Sequence, residues 1–374
     1  MSLSPSQIVQ EIHATPTRVV LAASGGGARA IAALLEVPGA SRTVLEAVIP
    51  YSEGAMVSWL GSRPDQFCSL PTARAMAVAA FQRARKYGSG DAELAGIAST
   101  ASLATDRAKR GPHRAHLALQ TAACTATWSL EFQKQQRTRA DEEDLVSRLM
   151  LNVVAAACGL PTRLELLLRE GERIEHAEIL APQPWQDLLL GRTERVCQGQ
   201  TPRPDAAIFP GAFNPLHAGH CRMVELAAEL LGLPVALEIS IRNPDKPPID
   251  FLEIQRRLGQ IPPQQPVWLT RAATFEEKSG LFPGATFIVG TDTLRRIASP
   301  RYYGDDPAAC HRAIERMAAQ GCRFLVFGRD EGASFTGLSD LQLPHTLLGL
   351  CRQVPAEQFR HDISSTAIRK SGQW

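Results

Sequence analysis

No Cys-x-x-Cys pair occurs among the eight cysteines (Cys68, Cys124, Cys158, Cys197, Cys221, Cys310, Cys322 and Cys351), and their spacing follows no rule. That argues against a zinc site or a disulfide framework and leaves a reducing, cytoplasmic setting as the default. A basic excess is also missing: 40 Lys and Arg stand against 38 Asp and Glu. A large nucleic-acid-binding face normally shows as such an excess, so no nucleic acid is expected and a small-molecule partner is. No apolar run reaches membrane-spanning length, and Met1-Ser2-Leu3-Ser4-Pro5-Ser6 lacks a basic region followed by an apolar one. Neither a membrane partner nor a secretory leader is expected. Internal repeats and low-complexity tracts are absent too, which removes solenoid and fibrous architectures.

What is present is an ordinary globular composition, 44% hydrophobic and 21% charged over 374 residues. That length exceeds one ordinary core and implies two domains with a connection; assembly into a homo-oligomer is left open. In the first half, Val19 to Ala23 reads as a strand, Ser24-Gly25-Gly26-Gly27 as a turn and Ala28 to Leu35 as a helix, one α/β unit within residues 1–162. Residues 163–204 read as a helical and irregular connector ending in the proline-bearing stretch Gln198 to Pro204. From 205 to 374, strands and helices alternate as in a doubly wound sheet: Ala206 to Phe209, then Met223, Leu226, Ala227, Leu230 and Leu231 at helical spacing, then Val235 to Ile241. Thr286 to Val289 and Phe324 to Phe327 are further buried strands, followed by Gly290-Thr291-Asp292 and Gly328-Arg329-Asp330. The fold class is therefore α/β in both domains.

Two segments carry chemistry. After the strand at Ala206 to Phe209 come Gly211-Ala212-Phe213-Asn214-Pro215-Leu216 and then His217-Ala218-Gly219-His220. A small-residue turn between strand and helix gathers main-chain N–H groups and two imidazoles about one point, where a polyphosphate fits. With 9 His and 28 Gly in the chain, about 0.02 chance occurrences of a His-x-Gly-His frame are expected. The bland alternative is that the two histidines only cap and pack the helix start. Near the end, Ile363-Ser364-Ser365-Thr366-Ala367-Ile368-Arg369 reads as an N-cap and first helical turn with a planar cation following it. Alone it is a cap; paired with the first frame it is a phosphate clamp.

Together these segments resemble the HxGH and ISSTxIR signatures of the nucleotidylyltransferase superfamily, over about residues 205 to 374. Among its members the sequence is most similar to nicotinamide or nicotinate mononucleotide adenylyltransferases, with Gly290-Thr291-Asp292-Thr293-Leu294 like that family's Gly-x-Asp segment. The resemblance implies a Rossmann-like parallel sheet and attack by an acceptor phosphate on the α-phosphorus of a nucleoside triphosphate. It gives His217, His220 and Arg369 catalytic roles, assigns the β- and γ-phosphates to Ser365 and Thr366, beside Ser364, and makes Gly211, Phe213 and Asn214 the floor of the loop. Mg²⁺, entering with ATP, offsets the developing charge. Lys246, Asp292 and Arg329 follow strand ends, where such sheets bind ligands. Each has a plain alternative: a solvated lysine, a helix cap, a surface ion pair. The two signatures do not choose between ATP and CTP, or between acceptors.

The first half resembles the CinA C-terminal family of nicotinamide mononucleotide amidases over about residues 15 to 162, at Val37 to Ser41, Tyr51-Ser52-Glu53-Gly54-Ala55-Met56 and Gly96 to Thr100. It departs from that family where chemistry is needed. Ala22-Ala23-Ser24-Gly25-Gly26-Gly27 stands in place of a Glu-Ser-Cys-Thr-Gly-Gly-like segment, and Met56 in place of a lysine. Methionine supplies neither proton transfer nor charge, so the hydrolytic site is expected to be degenerate. Ser41 and Thr100 remain as residual amidase candidates, with Gly25 and Gly26 as a phosphate turn.

Overall fold

The computed structural model describes residues 3–88, 93–106, 109–203, 205–330 and 335–359. The chain divides into two compact units, Met1–Gln186 with Asp245–Glu253, and Asp187–Pro244 with Ile254–Trp374.

The first unit runs α1 (Pro5–His13), β1 (Arg18–Ser24), α2 (Ala28–Glu36), the single turn α3 (Ala40–Thr43), β2 (Val44–Val48), α4 (Glu53–Leu60) and α5 (Leu70–Tyr87). It continues through β3 (Leu94–Ser102), β4 (His113–Thr121), β5 (Cys124–Phe132), α6 (Arg139–Ala157) and β6 (Ile174–Leu180). The strands lie in the order β2-β1-β3-β4-β5-β6. β1 is parallel to β2 and β3, while β3 through β6 alternate in direction. From Val19 onward every residue of β1 is buried, because apolar clusters form on both faces. One includes Ile8, Ile31, Leu34, Val146 and Met150 from α1, α2 and α6; the other includes Met56, Ala73 and Met76 from α4 and α5.

The second unit holds β7 (Arg195–Gln198), β8 (Ala207–Pro210), α8 (Ala218–Leu231), β9 (Val235–Ser240), most of α9 (Phe251–Leu258), β10 (Val267–Thr270), α10 (Phe275–Leu281) and β11 (Thr286–Gly290). Then come α11 (Thr291–Ile297), α12 (Pro307–Ala319), β12 (Arg323–Phe327) and β15 (Cys351–Gln353). Between the last two lie the small ribbon β13 (Arg329–Asp330) and β14 (Phe335–Thr336) and the short helix α13 (His345–Gly349). The sheet order is β15-β12-β11-β8-β9-β10-β7, parallel except for β7. From β8 the chain moves outward to β10, then returns to the other side of β8 with β11. That reversal makes the carboxyl ends of β8 and β11 the topological switch point of the sheet, the place where open α/β sheets bind ligands.

Both domains are α/β, as the alternation of elements indicates. The connector is a correction. Residues 163–204 contain β6, paired to β5, and β7, paired to β10, besides α7 (Gln183–Leu190). Four of the seven residues of β6 in a row, Glu175 to Glu178, are exposed, so its composition imitates a solvated linker. At four residues β7 is too short to show a period.

Candidate functional site

The loop after β8 begins as a continuation of the sheet, with the Gly211 N–H donating to the Glu238 carbonyl on β9 at 2.9 Å. A side chain at 211 has no room, because its Cβ would lie 2.5 Å from the Phe213 ring. Phe213 is 1% exposed at φ +43°, and its ring meets Phe209 and His220 edge-on at 5.3 and 5.2 Å. It therefore supports an imidazole from beneath. The loop is pinned from α9: Arg256 donates to Asn214 Oδ1, and the Leu216 N–H donates to Gln260 Oε1 at 3.2 Å. Gln260 Nε2 in turn donates to the Arg256 carbonyl at 3.1 Å. Replacing Gly211 with alanine is expected to displace the Phe213 ring, cost about 1–3 kcal/mol through overpacking and weaken nucleotide binding. Thermal unfolding and nucleotide titration of Gly211→Ala check this; unchanged values in both would contradict it.

His217 is the N-cap of α8, and His220 lies three residues on, one turn away on the same face. Their rings stack at 3.7 Å with 20° between planes. The His217 N–H donates to His220 Nδ1 at 3.3 Å. An accepting Nδ1 places the proton of the neutral ring on Nε2. Burial, assisted by the neighbouring His217, holds the His220 pKa down at about 3. His220 is thus a neutral Nε2–H donor near pH 7.

At the carboxyl ends of β11 and β12, Asp292 and Arg329 are brought together. Arg329 Nη1 donates to Asp292 Oδ2 at 2.6 Å, and Arg295 approaches Oδ1 at 3.4 Å. Both side chains of the first pair are nearly half exposed, so the ion pair they form is worth little to stability. Lys246 is exposed and lies in Asp245–Glu253, which belongs to the first unit. Ser364, Ser365, Thr366 and Arg369 lie outside the described residues.

The first unit does not assemble the residual amidase site. Ser41 sits in α3, before the amino end of β2, where Val44 is level with Val19 and Ala95. Thr100 is five residues further along β3, level with Ser24 at the carboxyl ends. At about 3.3 Å per residue, the start of β2, which Ser41 precedes, is roughly 16 Å from Thr100 along the parallel strands. Thr100 is also buried. The glycine turn is closed by the chain itself: Glu143 accepts from the Gly27 N–H at 3.1 and 3.0 Å and from the Arg29 N–H at 3.2 Å. Gly25 packs so closely on β3 that a Cβ would lie 2.0 Å from the Ala101 carbonyl oxygen. Gly25 therefore serves backbone packing, Gly26 packs under the Leu103 and Ala101 side chains, and a carboxylate occupies the position where an anion was expected. Met56 is core, 2% exposed.

A parallel sheet of this order, with a glycine turn and stacked imidazoles at its switch point, has the architecture on which α/β proteins build ligand sites. Residues 208–262 match the cytidylyltransferase-like family, so this stretch of the second unit is of the nucleotidylyltransferase kind. The chain is also similar to the probable nicotinate-nucleotide adenylyltransferase of Pelobacter propionicus, at 28% identity over 30% of this chain and 61% of that protein. The match thus spans less than two thirds of that relative. Among solved structures, it is similar to the competence/damage inducible protein CihA of Agrobacterium tumefaciens, 21% identical, covering 42% of this chain and 99% of that one, with a TM-score of 0.34. A CinA-superfamily competence-damaged protein of Escherichia coli is 18% identical, covering 41% and 88%, with a TM-score of 0.32.

Proposed function

We propose that the second unit transfers an adenylyl group from ATP to nicotinamide or nicotinate mononucleotide, releasing pyrophosphate. The observation that carries this reading is the stacked His217–His220 pair at the carboxyl end of β8, beside the β8/β11 reversal. An oxygen of the acceptor phosphate bonds to the α-phosphorus as the bond from that phosphorus to the α,β-bridging oxygen breaks. Such in-line transfer needs positioning and charge neutralisation, with no covalent nucleophile. The Nε2–H of His220 donates to an α-phosphate oxygen and holds that donation as charge builds there. His217 orients the second ring through its main-chain N–H. Mg²⁺ arrives as the counter-ion of the triphosphate. The nicotinate relative favours a pyridine mononucleotide as acceptor over other phosphate esters.

The test is an acceptor screen with the full chain, ATP or CTP, Mg²⁺ and a panel of phosphate esters. Dinucleotide and pyrophosphate should form with ATP and one or both pyridine mononucleotides. Transfer with CTP alone, or with none of the acceptors, would overturn the assignment.

A pH signature follows from His220. A bound polyphosphate raises its pKa from about 3, so binding takes up a fraction of a proton once the pH falls into the window between the free and bound values. Proton uptake should be near zero at pH 8 and grow as pH falls below 6, measured by titration calorimetry in buffers of different ionisation enthalpy. Uptake that His220→Gln leaves unchanged would remove His220 from the contact.

We read the first unit as a pyridine-nucleotide domain without hydrolytic activity, supported by the core position of Met56 and the separation of Ser41 from Thr100. Ammonia release from nicotinamide mononucleotide without ATP, lost in Ser41→Ala, would contradict this.

A further inference from the structure

We infer that β6 is a self-pairing edge, adding to β6 of a second copy in antiparallel register about a two-fold axis at Ala177. The strand ends the six-stranded sheet of the first unit and offers its outer side along seven residues that include neither proline nor lysine, two of the usual edge protections.

Backbone direction decides which groups are offered. The Ala181 N–H donates to the Ala123 carbonyl at 2.8 Å, and the ladder pairs Cys124 with Leu180 and Thr125 with Ile179. In antiparallel pairing, bonded and non-bonded positions alternate. Glu175, Ala177 and Ile179 therefore turn their main-chain groups toward β5, and Ile174, His176, Glu178 and Leu180 turn theirs outward. Strand addition uses those four.

Side-chain chemistry then selects the register. Centred on Ala177, the outward positions pair His176 with Glu178 of the second copy and Ile174 with Leu180 of the second copy, each twice by symmetry. Leu180 is 73% exposed, whereas Ile174 is partly buried against the core, so the pairing continues an apolar surface over an exposed leucine. The His176 ring already rests on Trp128, with centroids 4.9 Å apart, on the face shared with Glu178. A step to one side sets Glu178 opposite Glu178, a like-charge pair. A step to the other sets Ile174 opposite Glu178 and leaves Leu180 uncovered. Only the Ala177-centred register matches an imidazole donor to a carboxylate acceptor and apolar to apolar.

Sedimentation equilibrium of the full chain over a hundredfold concentration range tests this, with dimers expected. Glu178→Lys should weaken the dimer by about tenfold, since it removes the carboxylate acceptor from both cross-strand pairs at an exposed position. His176→Pro removes an outward N–H without touching the β5 ladder and should leave monomers. Ala177→Cys tests register directly: facing non-bonded positions are about 4.5 Å apart between Cα atoms, within disulfide reach, so oxidation should yield a covalent dimer. A monomer at every concentration overturns the proposal, as expected if the edge stays solvated or takes another protein's strand. So does a dimer indifferent to Glu178→Lys and His176→Pro, or one that Ala177→Cys fails to cross-link.

Discussion

His220→Ala is expected to lower nucleotidyl transfer by about two to three orders of magnitude while leaving the chain folded. On the proposed reading the substitution removes one Nε2–H donor to the α-phosphate, the kind of group whose loss falls on turnover. Alanine favours the helix that His220 occupies, which offsets the loss of the Nδ1 acceptor for the His217 N–H at the N-cap. The lost ring does leave space between Phe213 and His217, 5.2 and 3.7 Å away by centroid. A modest loss of stability should accompany the catalytic defect, and circular dichroism separates the two. Phe213→Leu offers a contrast: it keeps the imidazole but removes the ring that meets it edge-on, so it should lower turnover less than His220→Ala. Turnover within tenfold of the native chain for His220→Ala would remove the imidazole from the chemistry.

The β8 turn and its imidazoles were legible in the sequence because everything that builds them is local. A strand, a glycine with no room for a side chain and two histidines three apart occupy one short segment, where periodicity and spacing carry information. The residues that hold this segment are not local. Arg256 and Gln260 lie 42 and 44 residues beyond the atoms they bond, and nothing near them in the chain marks the role. The same distance hides the choice at Asp292, whose partner Arg329 is 37 residues away: helix cap, nucleotide contact and ion pair all fit its local sequence.

In the first unit, the parallel half was readable from Val19 to Ala23 and the turn after it, because buried parallel strands show continuous apolar runs. The antiparallel half was not. β4 and β5 carry Arg114, His116, Ser129 and Glu131 among their apolar residues, and β6 is charged along its exposed stretch. Sequence also made a phosphate site of Gly25 to Gly27. The group that fills that turn, Glu143, comes from α6, 116 residues away.

Lys278→Met should destabilise the second unit by about 3–5 kcal/mol. Lys278 Nζ donates to both carboxylate oxygens of Glu238 at 2.7 Å and to the Ala272 carbonyl at 2.9 Å, and the Thr270 hydroxyl also donates to Glu238. Glu238 is 1% exposed and Lys278 5%. Removing the ammonium leaves a carboxylate in the core with one hydroxyl to satisfy it, which is far worse than having no charge there. Glu238→Leu combined with Lys278→Met should therefore recover most of the loss, because apolar residues of similar volume can replace a buried pair at little cost. The measurement is denaturant unfolding with the transition of the second unit resolved from that of the first, since a two-unit chain need not unfold in one step. The consequence reaches the nucleotide loop: the Glu238 carbonyl holds Gly211, and its side chain ties β9 to β10 and α10. Lys278→Met should accordingly weaken nucleotide binding along with stability, and the double variant should restore both. Recovery of stability without recovery of binding would mean that the ion pair sets the loop position by more than holding the sheet together.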